Sequence, residues 1–237
     1  MRLSVMILSL VAAAVAPGFA LLTYLYLKDR YETEPIKVVL RMFLCGALSV
    51  FPVMVLQRAL ILSLGENTFM FSFVYSAGME ELMKWSILYL LIYKHVDFDE
   101  PYDGIVYAAA VSLGFATLEN VIYALMNFTT FSQIMLRALL PVSGHALFAI
   151  VMGYYMGRAK FNRSKSTRLQ LLWLSLLLPI LYHGLFDYIL TDYQTYWVWM
   201  MAPLMIYLWA RSLWRIKHAN LASPLRSVLD EEFNISI

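Results

Sequence analysis

Two adjacent carboxylates, Glu80 and Glu81, lie in the middle of an apolar stretch that runs from Phe69 to Trp85. At membrane depth each charged side chain costs about 2.5–3.5 kcal/mol on the insertion scale. Leucine would serve packing without that cost, so we expect the glutamates to have a chemical role. Lys84 lies at i+4 from Glu80 and at i+3 from Glu81, within reach of either on a helix. Because neighbouring helix positions point about 100° apart, we expect one glutamate to face a reaction centre while Lys84 neutralises the other.

Later apolar segments contain further side chains that can move protons or bind metal. They are Glu119, Asn120, His145, His183 and Asp187. His183 and Asp187 are four residues apart, so the aspartate can orient the imidazole. Counted along each predicted helix, Glu80, Glu119, His145 and His183 all fall about 10–17 Å from the outer membrane face, at about 1.5 Å of rise per residue. The sequence therefore predicts one polar layer in the outer half of the bilayer.

This set of residue types suits hydrolysis of an acyl bond. A sheltered glutamate can take a proton from water near neutral pH, and the resulting hydroxide can attack a peptide carbonyl. Donors on His145, His183 or Asn120 would stabilise the oxyanion, a contribution typically worth roughly 3–4 kcal/mol. Two histidines, a glutamate and water can also hold zinc, although the sequence has no His-Glu-x-x-His. We expect no cofactor, and leave zinc as the alternative.

The composition indicates a polytopic membrane protein. Of the 237 residues 61% are hydrophobic and 14% are charged, against about 25% charged in a soluble domain. The net charge of +2 is too small for a nucleic-acid binder, so we expect the lipid bilayer of the cell membrane, and no nucleic acid, as its surroundings. The single cysteine, Cys45, excludes an intrachain disulfide and a thiolate metal cluster.

Seven segments are long enough to cross a bilayer, which takes roughly 20 apolar residues as helix. They are Leu3–Leu27, Pro35–Leu64, Phe69–Tyr93, Ile105–Asn127, Leu136–Gly157, Leu169–Leu190 and Tyr196–Leu213. We therefore predict an all-α transmembrane helix bundle. Lysine and arginine occupy every second connection and are absent from the others, which predicts an N-terminus outside and a C-terminus in the cytoplasm. We expect one domain, residues 1–215, and a short cytoplasmic tail, residues 216–237, with an acidic run at Asp230–Glu232.

Four motifs resemble those of the PrsW intramembrane proteases. Glu80–Lys84 is similar to the family's Glu-Glu-x-x-Lys, and Phe115–Asn120 to its Phe-x-x-x-Glu-Asn. The segments Ser143–Phe148 and His183–Asp187 match its two histidine motifs in order. The related CAAX prenyl proteases and bacteriocin-processing enzymes usually carry arginine after the glutamates and histidine at the position of Glu119. These departures favour PrsW.

The resemblance implies site-1 cleavage of a single-span anti-sigma factor, as the first step in releasing an extracytoplasmic-function sigma factor. The depth of the polar layer agrees with cleavage near the extracytoplasmic side. By the same resemblance Glu80 is the water-activating base and Lys84 holds Glu81, although which glutamate is the base stays open. The remaining residues would polarise water or substrate (His145, His183), orient an imidazole (Asp187) and shape the centre (Glu119, Asn120).

Other functions remain open from the sequence. Buried carboxylates and histidines also build proton relays, so a proton-coupled transporter is one alternative. Such a transporter commonly shows inverted repeats and helices broken at the midplane, and neither is clear in this sequence. A scaffold that binds lipid or a partner helix is another, in which the polar residues would serve only as ion pairs and interhelical hydrogen bonds. A zinc-dependent form of the protease is the third.

Overall fold

The computed structural model describes residues 2–126, 130–193 and 195–226, and every regular element within those ranges is helical. In chain order the α-helices are α1 (Arg2–Leu27), α2 (Ile36–Leu48), α3 (Val50–Leu64), α4 (Thr68–Met70), α5 (Ala77–Leu91), α6 (Asp103–Met126), α7 (Phe131–Arg137), α8 (Ser143–Lys160), α9 (Lys165–Asp192) and α10 (Trp197–Leu221). The predicted all-α class is confirmed.

Within the described residues, five helical stretches are long and apolar enough to cross a membrane. They are Ile7–Leu27, Ile36–Leu64, Asp103–Met126, Phe131–Lys160 and Lys165–Asp192. These stretches confirm a multi-pass membrane protein. Two other predicted spans are less apolar: every window of 18 residues within 68–91 contains Glu80, Glu81 and Lys84, and the tryptophans and Arg211 lower the mean hydropathy of α10. The count of seven spans and the orientation stay predictions.

Two of the five long stretches are interrupted, each time beside a proline. Pro52 is the third residue of α3, and it cannot donate a backbone hydrogen bond to the end of α2. The chain therefore breaks at Ser49, between α2 and α3. Pro141 has the same effect in the segment Ala138–Val142, where a wider π-helical turn joins α7 to α8. A second π-helical segment, Phe71–Ser76, joins α4 to α5, and such segments often occur at functional sites.

Helix α6 lies at the centre of the bundle and packs against α1, α2 and α8. Every residue from Asp103 to Thr117 is buried. Glycines permit the close contacts: a Cβ at Gly114 would collide with the backbone carbonyl of Phe43 on α2, and one at Gly153 on α8 would collide with the backbone of Gly104. Small residues at such contacts let helix backbones approach in a membrane.

Helix α10 continues across residue 216 to Leu221, and Ile216 and Ala219 on its last turns are buried in the core. The acidic run Asp230–Glu232, predicted for the cytoplasmic tail, lies outside the described residues. The division into one domain and a tail stays a prediction.

Candidate active site

Three helices bring the four predicted catalytic residues together. Glu80 and Glu81 lie on α5, His145 lies on α8 and His183 lies on α9. One carboxylate oxygen or ring nitrogen from each lies within 4.8 Å of those from the others, and all four residues are buried. The polar side chains that the sequence places at one depth therefore meet in one centre.

Lys84 is at the middle of this centre and is fully buried. Its ammonium donates to Glu81 Oε1 at 2.7 Å, to Glu80 Oε2 at 3.3 Å and to His145 Nδ1 at 3.1 Å. It also lies 4.3 Å from the centre of the Phe115 ring, a cation–π contact. Both glutamates contact the lysine, and the contact with Glu81 is the shorter one.

The contacts assign the ring protons of the two histidines. An ammonium donates only, so His145 Nδ1 accepts from Lys84 and the ring proton is on Nε2, which faces Glu119 Oε2 at 3.3 Å. His183 Nδ1 donates to Glu81 Oε1 at 2.9 Å, and its Nε2 lies 3.5 Å from Asp187 Oδ2. The second distance is long, so Asp187 orients His183 more weakly than Glu81 does.

Glu80 makes looser contacts than Glu81. Gln57 on α3 donates to Glu80 Oε1 at 3.3 Å, and the hydroxyl of Ser76 lies 3.5 Å from the same oxygen. Ser76 donates to Asp187 Oδ2 at 2.6 Å, so its single proton is committed there. Glu80 is thus held by weak, exchangeable contacts, whereas Glu81 is tied to Lys84 and His183.

Glu80 lines two cavities. A cavity of about 130 Å³ lies beside the centre, with room for several water molecules. Its polar lining comes from Ser76, Glu80, Glu119, Arg137, His145, His183 and Asp187. A second cavity, of about 230 Å³, lies between α3 and α6 and is mainly apolar, with Val53, Met54 and Ile122 among its walls. The glutamate therefore stands between a polar chamber and an apolar approach.

Glu119 and Asn120 are adjacent in sequence but have different surroundings. Glu119 faces His145, while the Asn120 amide donates to the backbone carbonyl of Ala14 at 2.9 Å. The Asn120 carbonyl accepts from Arg137 Nε at 2.9 Å, and Arg137 Nη2 lies 3.4 Å from Glu119 Oε1. The amide considered as an oxyanion donor is thus already engaged, and it positions Arg137.

Three residues at the centre were not predicted from sequence: Gln57, Ser76 and Arg137. Ser76 lies four residues before Glu80, and that spacing was an available signal. Arg137 follows a polar connection, where an arginine ordinarily extends to the membrane surface; instead it contacts Glu119 and Asn120 and lies 4.0 Å over the Tyr123 ring. Gln57 is a lone amide in an apolar helix, and sequence alone gives it no role.

The donor set fits a metal of the zinc class. Two imidazoles and two carboxylates within 4.8 Å of one another are ligand types that zinc accepts. Glu81 Oε2 is buried and has no hydrogen-bond partner, so it remains available as a ligand. The unprotonated nitrogen of His145 is Nδ1, which accepts from Lys84, so a metal bound by this imidazole would take the place of that contact.

Buried glutamates and histidines around a chamber that has room for water, within a bundle of membrane-spanning helices, are typical of the class of intramembrane hydrolases. The sequence profile of a family described as PrsW family intramembrane metalloprotease matches residues 34–210. The chain belongs to this family.

Curated relatives cover most of the chain. It is 49% identical to the "Protease PrsW" of Geobacillus kaustophilus over 212 residues, 89% of this chain and 92% of the relative. It is 46% identical to the "Protease PrsW" of Bacillus subtilis over 219 residues, 92% and 99% of the two chains. The protein of the same name from Clostridioides difficile is 33% identical over 212 residues, 87% and 89%. No solved structure matches.

The predicted resemblance to PrsW proteases is confirmed. The protein is an intramembrane protease and a multi-pass protein of the cell membrane. Membership of a protease family favours the protease over the proton-coupled transporter and the scaffold.

Proposed function

We propose that the protein is a site-1 endopeptidase that cleaves a single-span membrane protein near the extracytoplasmic side, with Glu80 activating the attacking water. The observation that carries this proposal is the position of Glu80 between the polar chamber and the apolar cavity. By the family resemblance, the substrate is a membrane-anchored anti-sigma factor.

Glu80 is the better base of the two glutamates because its carboxylate can move. Glu81 is fully buried and held by Lys84 and by His183. Glu80 keeps about a tenth of its side-chain surface exposed and has contacts of 3.3 to 3.5 Å with its neighbours. A base must approach the proton it abstracts to about 2.6–3.2 Å, and only the looser glutamate has that freedom.

The proposed chemical step is the hydrolysis of a peptide bond. Glu80 takes a proton from water as the water oxygen bonds to the scissile carbonyl carbon, and the carbonyl electrons move to its oxygen. When the carbon–nitrogen bond breaks, the same carboxyl returns the proton to the leaving amine. His145 Nε2–H and the guanidinium of Arg137 face the chamber and serve as oxyanion donors.

The family's description as metalloproteases favours the zinc-dependent form of this mechanism. Glu81, His145 and His183 would then be the ligands, with Glu80 remaining the base. A zinc ion held there would supply Lewis-acid polarisation of the scissile carbonyl and would make the attacking water easier to deprotonate. The unpartnered Oε2 of Glu81 supports this assignment. Lys84 would keep the ligand carboxylate in place.

Metal analysis of the purified, detergent-solubilised protein, paired with cleavage of a model single-span substrate, tests the cofactor. Stoichiometric zinc whose removal by a strong chelator abolishes cleavage would establish the zinc-dependent form. Full cleavage by metal-free protein would leave Glu80 to activate water without a metal.

The role of Glu80 is tested by substitution. We expect Glu80→Gln to lower the cleavage rate by about 10²–10⁴-fold, the usual contribution of a general base, and His145→Ala to lower it as well. Glu66→Gln is the matched control, since Glu66 is an exposed glutamate in the connection between α3 and α4. Full cleavage by Glu80→Gln would remove this glutamate from the mechanism, and the mass of the released fragments identifies the bond cut.

A further inference from the structure

A second group of carboxylates lies at the opposite end of α6 from the active site. Asp29 follows α1, Glu34 precedes α2 and Asp103 begins α6. One oxygen from each lies within 4.8 Å of those from the other two. Along α6 the rise from Asp103 to Glu119 is about 24 Å at about 1.5 Å per residue. The group is therefore separate from the active site.

These carboxylates are buried and incompletely paired. Asp29 is 9% exposed, Glu34 5% and Asp103 1%. Asp103 Oδ1 has no hydrogen-bond partner, and Asp29 is near the backbone N–H groups of Arg30 and Tyr31 but forms no hydrogen bond of good geometry with them. Asp103 Oδ2 accepts from the backbone N–H groups of Asp99 and Glu100, at 2.8 and 2.6 Å. The unpaired oxygens of Asp29 and Asp103 are available to a ligand.

No ion pair within the described part of the chain neutralises the three carboxylates. Lys160 is close enough to feel the charges of Asp103 and Glu34, but its ammonium donates to the backbone carbonyl of His95 at 3.0 Å and lies 4.5 Å over the Phe98 ring. Glu34 accepts a short hydrogen bond from the hydroxyl of Tyr107, which is neutral.

Buried charges are ordinarily paired with an opposite charge or bound to a metal ion. An arrangement of carboxylate oxygens without nitrogen or sulfur is the ligand chemistry of hard cations, Mg²⁺ and Ca²⁺, and not of zinc.

We propose that Asp29, Glu34 and Asp103 bind one hard divalent cation, Mg²⁺ or Ca²⁺, which fastens the ends of α1 and α2 to the start of α6. The connection 28–35 contributes two ligands and the start of α6 contributes the third, so binding would hold that connection against the bundle. The inference does not depend on the chemistry at Glu80.

The experiment uses the full-length, metal-depleted protein in detergent. Binding of MgCl₂ and of CaCl₂ is measured by titration calorimetry, and thermal unfolding is followed with and without each salt at constant ionic strength. We expect one cation per chain and a thermal midpoint raised by about 5 °C at saturation. The salt with the lower Kd identifies the cation.

Variants separate this group from the active site. Asp29→Asn is expected to weaken cation binding at least tenfold, and Asp29→Asn combined with Asp103→Asn to abolish the thermal shift. Asp99→Asn, which alters an exposed carboxylate of the neighbouring loop, should bind as the native protein does. Binding should also survive His145→Ala combined with His183→Ala.

The proposal is overturned if neither salt binds or shifts the midpoint of the native protein, since protons alone would then neutralise the cluster. It is equally overturned if the two-histidine variant loses binding, or if Asp29→Asn binds as tightly as the native protein. The single Asp29→Asn variant keeps the test decisive if the double aspartate variant does not fold.

Discussion

At the scale of single residues, Lys84 determines the charge of the active site. Its ammonium contacts both glutamates and His145 while being fully buried. Removing one partner of a buried ion pair costs far more than the pair contributes, because a charge is left without compensation. Without Lys84, Glu81 would lose its shortest contact with a positive charge and would keep only His183 as a partner.

We therefore expect Lys84→Met to destabilise the fold by about 3–5 kcal/mol and to abolish cleavage. Combining it with Glu81→Gln should recover most of the stability, because the uncompensated carboxylate is then gone, but should not recover cleavage. Thermal unfolding of the native protein, the two single variants and the double variant measures the coupling. Additive losses in the double variant would show that Lys84 and Glu81 do not form a pair.

At the scale of helices, α3 forms one wall of the apolar cavity that reaches Glu80. Met54 lines this cavity and is partly exposed, whereas the next residue, Val55, is 69% exposed and lies outside it. The two positions differ in their access to the cavity while sharing one helix.

We expect Met54→Trp to fill part of the approach, lowering kcat/KM for a single-span substrate by tenfold or more with little change in thermal midpoint. Val55→Trp, the same bulk facing away from the cavity, should cleave at the native rate. Cleavage assays on the two variants, at several substrate concentrations, decide the matter. Equal activity would place the substrate's path elsewhere.

The contact between α2 and α6 is a second feature at this scale. Gly→Ala within a helix ordinarily stabilises by about 0.5–1 kcal/mol, but a Cβ at Gly114 would collide with the Phe43 carbonyl. A Cβ at Gly144 on α8 would meet its neighbours at ordinary contact distance, 3.5 Å. We expect Gly114→Ala to lower the thermal midpoint and Gly144→Ala to leave it unchanged or raised. Equal thermal midpoints for the two variants would mean that α2 moves away from the added methyl group at no cost in stability.

At the scale of the whole molecule, the predicted orientation places the active site toward the outside and the carboxylate cluster toward the cytoplasm. Single cysteines test it in a Cys45→Ala background. Glu66→Cys should react with a membrane-impermeant maleimide in intact cells, and Arg163→Cys only after the cells are opened. The reverse labelling pattern would show that the protein has the opposite orientation, with its cleavage site on the cytoplasmic side.

Sequence predicted what depends on local helix geometry. The contact expected from the i,i+4 spacing of Glu80 and Lys84 is present in the structure, and the side chains of Glu80, His145 and His183 lie close together as predicted. The contacts of the other polar residues depend on how the helices pack, which the spacing of residues in the sequence does not determine. Adjacent residues point to different neighbours, and the positions of α1 and α8 determine that Glu119, not Asn120, faces the centre.

The carboxylate cluster had no signal in the sequence. Asp29, Glu34 and Asp103 flank three different helices, and no spacing rule relates them. Each was one acidic residue in a polar connection or at a helix end, where such residues are common. Only the meeting of the helix ends brings their oxygens together.

The break at Ser49 has a consequence for how a substrate arrives. Val50 and Val53 in the first turn of α3 are buried, but the rest of the helix exposes most of its surface. Helix α3 therefore packs weakly against the bundle and follows the helix break caused by Pro52. Sideways displacement of α3 would open the apolar cavity to the lipid and move Gln57 away from Glu80. Entry of the peptide would then also remove one of the contacts of the base, so that the Glu80 carboxylate moves most freely when a substrate is present.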